Sequence, residues 1–200
     1  MLTAVLAGAT FGATYNLTDE FSSTNNPNGV WSYGSSPTDF TQFVLATSSD
    51  LTDWVGENGA SIWMNTSTSG SYGVNPGQVS LHPGSKPNPV IVRWIAPSAG
   101  TATISGQFFS GDRGTPSIAI FKNLDANAML WSGFDSGSFD LTTIVAKDDT
   151  IDFTVYGDYY YGNTPLDANI TLVPEPSGIL ALLGMAVPFG LAHIRRRNNG

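Results

Sequence analysis

Histidine and cysteine, the side chains most often used in nucleophilic catalysis and in transition-metal sites, are scarce in this sequence. The chain has no cysteine and two histidines, His82 in its body and His193 near its C-terminus. His82 could act as a general base or a metal ligand, but such sites need further partners in the same structural unit. No phosphate loop, dinucleotide-binding glycine pattern or His-Glu-x-x-His motif is present. The sequence therefore predicts a non-enzymatic protein in which His82, before the Pro83-Gly84 turn, is hydrogen-bonded to backbone.

Carboxylate pairs are the other residues that could support catalysis, because a glycosidase needs only two acids. The tightest acidic clusters are Asp19-Glu20 and Asp148-Asp149 with Asp152. The second cluster falls on a predicted turn and strand start, where solvated acids are common, so we interpret it as structural. A polysaccharide hydrolase stays open as an alternative.

Calcium is the metal that this composition fits best, since it binds hard oxygen ligands from Asp, Asn and backbone carbonyl groups. The segment Gly111-Asp112-Arg113-Gly114, or Asn123 together with Asp125, could contribute such ligands. No twelve-residue calcium-loop pattern occurs. The sequence predicts no cofactor, and calcium binding by a loop is left open.

Aromatic side chains offer a different chemistry, because sugar rings present apolar faces that stack on Trp and Tyr while nearby polar groups bind the hydroxyls. Trp31 and Tyr33 lie on one side of an extended segment in a polar loop region. A run of three tyrosines lies in a predicted loop at one end of the fold, and because adjacent side chains alternate, at least one should face solvent. The predicted glycan-binding residues are Trp31, Tyr33, Tyr159, Tyr160 and Tyr161.

The elements that must position these residues are short strands. Glycine and proline interrupt the sequence every eight to twelve residues, and no apolar helical period is sustained before the C-terminal segment. Many short strands without helices predict an all-β, two-sheet sandwich of jelly-roll type over residues 14–172. The predicted strands are Phe43–Ala46, Ser61–Met64, Val79–His82, Val90–Ile95, Thr101–Phe109, Ser117–Lys122, Met129–Ser132, Phe139–Val145, Ile151–Tyr156 and Ala168–Val173.

The charge distribution excludes some partners. Residues 1–172 hold fifteen acidic and five basic side chains, a net charge of −10, whereas residues 173–200 hold one acidic and three basic side chains. Nucleic acids and anionic lipids are bound by basic surfaces. The sequence therefore predicts that the body binds neither.

The N-terminal segment has features of a secretory signal. Leu2–Ala9 is apolar, and Ala7-Gly8-Ala9 fits the small-x-small cleavage pattern, with Ala13 as a second possible site. No Lys or Arg occurs before Lys86, so the positive n-region is missing. We interpret residues 1–13 as the remnant of a signal peptide whose start lies upstream. An N-terminal strand is the alternative.

The C-terminal segment combines three features in order. Pro174-Glu175-Pro176 is followed by the apolar run Gly178–Ile194 and then by Arg195, Arg196 and Arg197. At about 1.5 Å per residue a helix over 178–194 is about 25 Å long, close to the thickness of a bilayer core, and the arginines can extend to the head groups. The positive-inside rule predicts a transmembrane helix with its basic end in the cytoplasm and residues 1–177 on the other side. A buried core helix is the alternative.

This arrangement over residues 173–200 resembles the PEP-CTERM sorting signal of Gram-negative bacteria. The resemblance implies export across the inner membrane, a transient membrane anchor, and processing near Pro174–Pro176 by an exosortase-type enzyme. The processed protein would then reside in the cell envelope or outside the cell.

The body carries a second resemblance. The segments Asn26–Gly34, His82–Gly84, Val92–Pro97 and Asp149–Phe153, in that order, look like a β-sandwich module of secreted bacterial proteins. That module is similar in general design to carbohydrate-binding jelly rolls, but its function is undefined, so the resemblance assigns no binding residue.

Together these features predict an exported, non-enzymatic envelope or extracellular-matrix protein that binds glycan or exopolysaccharide through loop aromatics. The alternatives are a purely structural surface component without a discrete ligand and a polysaccharide hydrolase. Exposed Trp and Tyr side chains grouped on one surface would favour glycan binding, whereas two facing carboxylates in a groove would favour hydrolysis.

Overall fold

The computed structural model describes residues 11–37, 40–48, 52–86 and 88–175. Most of the predicted signal remnant lies outside these ranges, as do the predicted transmembrane helix 178–194 and the basic residues 195–197. No helix within the described ranges is long and apolar enough to cross a membrane.

The predicted all-β class is confirmed, since the described residues form fourteen strands in two antiparallel sheets. Three short 3-10 turns, Glu57–Gly59, Ala126–Ala128 and Tyr159–Tyr161, connect some of them. The strands are β1 Ala13–Asn16, β2 Trp31–Ser35, β3 Val44–Leu45, β4 Thr47–Ser48, β5 Asp53–Val55, β6 Ser61–Met64, β7 Val79–His82, β8 Val90–Ile95, β9 Gly100–Phe108, β10 Ser117–Lys122, β11 Met129–Phe134, β12 Gly137–Val145, β13 Thr150–Tyr156 and β14 Thr164–Pro174.

The two sheets face each other across one core. The first has the strand order β12-β9-β14-β7-β6-β5-β4, with β1 paired to the C-terminal part of β14, and the second has the order β11-β10-β13-β8-β2-β3. From β7 onward the chain changes sheet at every connection except β10 to β11. The last eight strands consequently form two facing groups, β7-β14-β9-β12 and β8-β13-β10-β11.

Alternating side chains fill the space between the sheets. In β9, Ala102 and Ile104 are buried while Thr101 and Thr103 are exposed, as expected for a strand with one face on the core. The Phe108 ring stacks on Trp131 with centroids 5.8 Å apart and contacts Phe139 at 5.7 Å. Because Trp131 belongs to the second sheet and the two phenylalanines to the first, these rings join the sheets.

Strand bounds differ from the prediction at both ends of the sandwich. The final strand begins at Thr164 rather than Ala168, because Thr164–Leu166 pair with β7. It also continues through Pro174, two residues past the predicted end of the domain. A strand that was not predicted, Ala13–Asn16, pairs with the same strand, with Ala13 opposite Leu172.

The acidic clusters have structural partners. Glu20 accepts a hydrogen bond from the Trp31 indole at 2.9 Å, and Asp152 accepts one from Arg93 Nε at 2.6 Å. Asp149 lies in the turn before β13, where it pairs with Lys122 at 2.9 Å. Asp148 is exposed and Asp149 partly exposed, but Asp152 is fully buried, so the expectation that this cluster is solvated is wrong for Asp152.

Replacing Asp149 with Asn should lower the free energy of unfolding by about 1 kcal/mol at neutral pH, allowing for solvent screening. The hydrogen bond from Lys122, followed by that from the Ala146 N–H, lowers the pKa of Asp149 from 3.8 to about 2. A depressed carboxylate pKa stabilises the fold above the unfolded value, and this contribution is lost as pH falls from about 4 to about 2. Urea unfolding of variant and wild type should therefore converge at about pH 2.

Asp148→Asn is the matched control. Among the described residues the Asp148 side chain pairs with Lys147, and it is 72% exposed. Asn tolerates the left-handed backbone conformation of this position, so the effect should stay below about 0.5 kcal/mol. Equal effects of the two substitutions at neutral pH would contradict this account of Asp149.

Candidate ligand-binding cleft

One side of the first sheet, at β5, β6 and β7, carries polar and aromatic side chains in register. Asp53 pairs with Trp63, Trp63 with Ser80, and Ser61 with His82. The intervening residues of the three strands are buried in the core, so the paired residues face outward. This outward face forms the floor of a cleft.

Three loops wall this face: residues 65–77, 109–116 and 157–163. Gly73 approaches the Gly111 carbonyl so closely that no Cβ would fit. The Gly114 N–H donates to the Tyr161 carbonyl at 2.9 Å, and the Thr115 N–H donates to Asp158 Oδ2 at 2.6 Å. The three loops therefore support one another through contacts within the chain.

The cleft between these loops has a volume of about 800 Å³. This lies within the range of about 300–1,000 Å³ that is typical of small-molecule sites. Its floor residues are Asp53, Ser61, Trp63 and His82, and its wall residues include Tyr72, Asp112, Arg113, Tyr160, Tyr161 and Asn163.

Exposed tyrosines surround the opening. Tyr160 is 83% exposed, Tyr72 is 69% exposed and Tyr161 is 49% exposed. Large aromatic side chains at such exposure are unusual in a solvated loop and mark binding surfaces when they cluster. The expectation that at least one residue of the tyrosine run faces solvent is confirmed, and ligand binding by Tyr160 and Tyr161 stays a prediction.

Tyr159 has a different position from its two neighbours. It is half-buried, and its ring lies edge-on to the His82 ring with centroids 5.4 Å apart. Its hydroxyl would lie 3.2 Å from a Cβ at position 59, so it packs closely on Gly59. Tyr159 thus anchors the turn that presents Tyr160 and Tyr161.

His82 lies at the end of β7 with its Nδ1 atom 2.9 Å from the Pro83 carbonyl oxygen. A carbonyl oxygen only accepts, so Nδ1 carries the proton and Nε2 of the neutral ring is an acceptor. Burial lowers the pKa of His82, opposed by the Pro83 carbonyl and by the charge of Asp112. The predicted hydrogen bond to backbone is confirmed, and the ring also lines the cleft.

The predicted surface position of Trp31 and Tyr33 is wrong. Both side chains are fully buried in β2, which pairs with β8 inside the second sheet. The Tyr33 ring stacks on Trp54 at 6.2 Å, and burial raises the pKa of its hydroxyl to about 12. The prediction took the polar residues 22–28 before β2 as a sign of exposure. These residues instead cover the core, and the aromatic side chains of β2 lie beneath them.

The candidate calcium ligands have protein partners. Asn123 Oδ1 accepts from the Thr150 N–H, and Asp125 accepts from the Asn127 N–H, each at 2.8 Å. Over the ranges that the structure describes, no three His, Cys, Asp or Glu side chains are grouped so as to hold a metal ion. The segment Gly111–Gly114 forms part of the cleft wall.

Local sequence patterns do not identify several of the cleft residues. Asp53 and Asn163 lie far apart in the sequence, and Tyr72 lies in a loop without a recognisable motif. One available signal was the alternation in Ser61–Met64, which places Trp63 on the face opposite the buried Ile62. A Trp on the polar face of a strand is a candidate ligand contact.

Comparison with known proteins yields distant similarities. No protein-family model and no curated protein matches the chain. Among solved structures, pika GITRL aligns with 43% of the chain and 79% of its own length at 18% identity and a TM-score of 0.32. A family 35 carbohydrate binding module from Clostridium thermocellum aligns with 42% of the chain and 68% of its own length at 9% identity and a TM-score of 0.29.

A third similar structure is the Podospora anserina GH26-CBM35 β-(1,4)-mannanase. It aligns with 84% of the chain but 29% of its own length, at 10% identity and a TM-score of 0.34. Similarities of this extent assign neither a family nor a function, so the functional argument depends on the cleft itself.

Proposed function

We propose that this protein is an exported, non-enzymatic β-sandwich that binds polysaccharide in the cell envelope or extracellular matrix. The observation that carries this proposal is the grouping of the exposed side chains of Tyr72, Tyr160 and Tyr161 around one cleft whose floor holds Trp63. Aromatic rings supply the apolar surface on which sugar rings stack, and the surrounding carboxylate, amide and guanidinium groups supply hydrogen bonds to hydroxyls.

The strand order supports a jelly-roll type of sandwich. The two groups β7-β14-β9-β12 and β8-β13-β10-β11 follow the pattern of two interleaved four-stranded sheets in which successive strands lie in opposite sheets. In this arrangement the connections β9 to β10 and β13 to β14 cross between the sheets at the same end, so residues 109–116 and 157–163 meet there. Residues 65–77, which join the neighbouring strands β6 and β7, form the third wall.

Residues 173–200 are, in this proposal, the sorting signal that delivers the sandwich. Pro174 is the last residue of β14, and the Glu175 N–H donates to the Ala99 carbonyl at 3.3 Å. Cleavage just after Pro174–Pro176 would leave every described strand intact, in keeping with removal of a temporary anchor.

The sorting proposal predicts that replacing Arg195, Arg196 and Arg197 with alanine will stop processing. Without the basic end, the apolar segment loses the charge that holds it across the membrane. Membrane fractionation and immunoblotting in a host with an exosortase-type enzyme should show full-length variant where the wild type is shortened. A variant shortened like the wild type would contradict the proposal.

A polysaccharide pull-down with the full 200-residue chain tests the binding proposal. The chain is purified in a detergent without sugar head groups, so that the detergent does not compete for the cleft. Wild type should be retained by at least one insoluble or immobilised polysaccharide, and a Tyr160→Ala, Tyr161→Ala variant should be released. Phe134→Ala is the matched control, because Phe134 is 74% exposed outside the cleft. Loss of retention by the control as well would contradict the assignment.

A polysaccharide hydrolase is the second candidate, because Asp53 and Asp112 both line the cleft. Two carboxyl groups at about 5–10 Å would be needed for acid and base or nucleophile roles. Release of reducing ends from a bound polysaccharide, abolished by Asp53→Asn or Asp112→Asn, would favour hydrolysis. Complete absence of binding would favour a structural surface component.

A further inference from the structure

Asn163 is a largely buried residue at the edge of the cleft, between the 3-10 turn Tyr159–Tyr161 and the start of β14. The residue is 9% exposed and lines the cleft. Its Oδ1 atom accepts hydrogen bonds from the Trp63 indole Nε1 at 3.1 Å and from Ser80 Oγ at 3.4 Å. Its backbone carbonyl accepts from the Asp112 N–H at 3.2 Å. Asn163 therefore connects the floor and two walls.

The orientation of this amide follows from chemistry. An indole N–H can only donate, so the Asn163 atom that faces Trp63 must be the oxygen and not the nitrogen. The amide nitrogen Nδ2 then points away from Trp63 and Ser80. Among the described residues none accepts a hydrogen bond from Nδ2. Nδ2 is also not among the buried atoms that lack a partner, so it is open to the cleft, where water or a ligand can accept its hydrogen bond.

We propose that Asn163 is the specificity-determining donor of the cleft, and that its Nδ2 binds an oxygen atom of a neutral, hydroxyl-rich sugar ring stacked on Trp63. This inference rests on the proposed polysaccharide binding and names the class of polysaccharide. The amide is held in one orientation before the ligand arrives, so little conformational entropy is lost when the hydrogen bond forms.

The other polar groups of the cleft match the same ligand class. The carboxylates of Asp53 and Asp112 and the Nε2 atom of His82 are acceptors, while Arg113 and Asn163 are donors. A sugar hydroxyl both donates and accepts, so it pairs with either kind of group. A uronate or sulfate group has no proton to donate. The carboxylates of Asp53 and Asp112 would repel its negative charge, and the single guanidinium of Arg113 would compensate for this repulsion only in part.

The net charge of the body adds to this selection. Residues 1–172 carry fifteen acidic and five basic side chains, a net charge of −10, which disfavours long acidic polysaccharides at low ionic strength. Neutral polysaccharides carry no such penalty. We therefore expect selection by both the local and the overall charge.

The test is affinity electrophoresis of the full chain in gels that contain a polysaccharide. A galactomannan, a mixed-linkage β-glucan and dextran serve as neutral probes, and polygalacturonate and alginate serve as acidic probes. Wild type should be retarded by a neutral probe and not by the acidic ones. Asn163→Asp keeps an oxygen for Trp63 and Ser80 but replaces the donor with an acceptor. It should weaken neutral binding at least about tenfold, as expected for a lost buried hydrogen bond.

The matched control is Asn25→Asp, which adds the same charge at an exposed position outside the cleft and should bind like wild type. Tryptophan fluorescence separates positioning from folding, because Asn163→Asp should keep the wild-type spectrum while Asn163→Ala should change it. Should the aspartate variant fail to fold, the side-chain amide protons of Asn163 in the wild type must shift on addition of a neutral oligosaccharide, and unchanged signals would overturn the proposal.

The outcomes distinguish the two proposals. Wild-type binding to acidic probes as tight as to neutral ones, or full neutral binding by Asn163→Asp, overturns the role of Asn163 and leaves polysaccharide binding standing. Retardation by no probe at all overturns polysaccharide binding itself, and the specificity inference with it.

Discussion

Replacing Trp63 with alanine is expected to weaken polysaccharide binding about 30- to 100-fold, equivalent to about 2–3 kcal/mol. Trp63 is the half-buried aromatic residue of the cleft floor, and its ring is held by the hydrogen bond from Nε1 to Asn163. A large ring fixed before binding offers stacking surface at little entropic cost. Isothermal titration with the retained polysaccharide, or with an oligosaccharide derived from it, measures the loss.

Trp63→Phe provides the graded control for this prediction. Phenylalanine keeps an aromatic surface but has no N–H to donate to Asn163, so the ring should be less well positioned and binding should fall by less than for alanine. Equal affinities of wild type and Trp63→Ala would show that the ligand does not stack on the cleft floor.

Replacing Asp152 with alanine is expected to lower the free energy of unfolding by about 3–5 kcal/mol. Asp152 is fully buried and accepts from Arg93 Nε at 2.6 Å and from Thr150 Oγ1 at 2.8 Å. The Arg93 side chain is 17% exposed, and its guanidinium lies 4.1 Å from the centre of the Phe43 ring. Alanine at position 152 leaves this cation without its charged partner, which is the costly part of the change.

Urea unfolding of three chains separates this effect from a loss of packing. The double variant Asp152→Ala, Arg93→Met removes both charges and should be more stable than Asp152→Ala alone, because no unpaired cation remains. A double variant that is clearly less stable than Asp152→Ala would mean that removing the Arg93 side chain costs more packing than the unpaired charge costs. The pair would then stabilise the fold through packing and not through its charges.

The regular strands could be predicted because one face of each packs on the core. Ser61–Met64, Val79–His82, Val90–Ile95 and Ser117–Lys122 are strands with the bounds that their sequence pattern predicts. In β2 the pattern fails, since all five residues of Trp31–Ser35 are buried and include two serines and a glycine. A strand covered on both faces loses the alternation on which such predictions depend.

The cleft was only partly predictable for a different reason. The tyrosine run stood out because three large aromatics are adjacent, and two of them do line the cleft. Trp63 and Asn163 lie one hundred residues apart and meet through the pairing of β6 with β7 and of β7 with β14. A contact between residues so far apart cannot be predicted from local sequence patterns. Trp31 and Tyr33 were misplaced because a polar neighbourhood in sequence was taken for exposure in space.

The indole N–H signals of the five tryptophans show whether sugar binds on Trp63. A nitrogen–proton correlation spectrum of the full chain resolves these signals, and single Trp→Phe variants assign them. Titration with an oligosaccharide of the retained polysaccharide should shift the Trp63 signal while those of the buried Trp31, Trp54 and Trp94 stay in place. Saturating ligand that leaves the Trp63 signal unmoved, or that moves another tryptophan signal instead, would contradict the account.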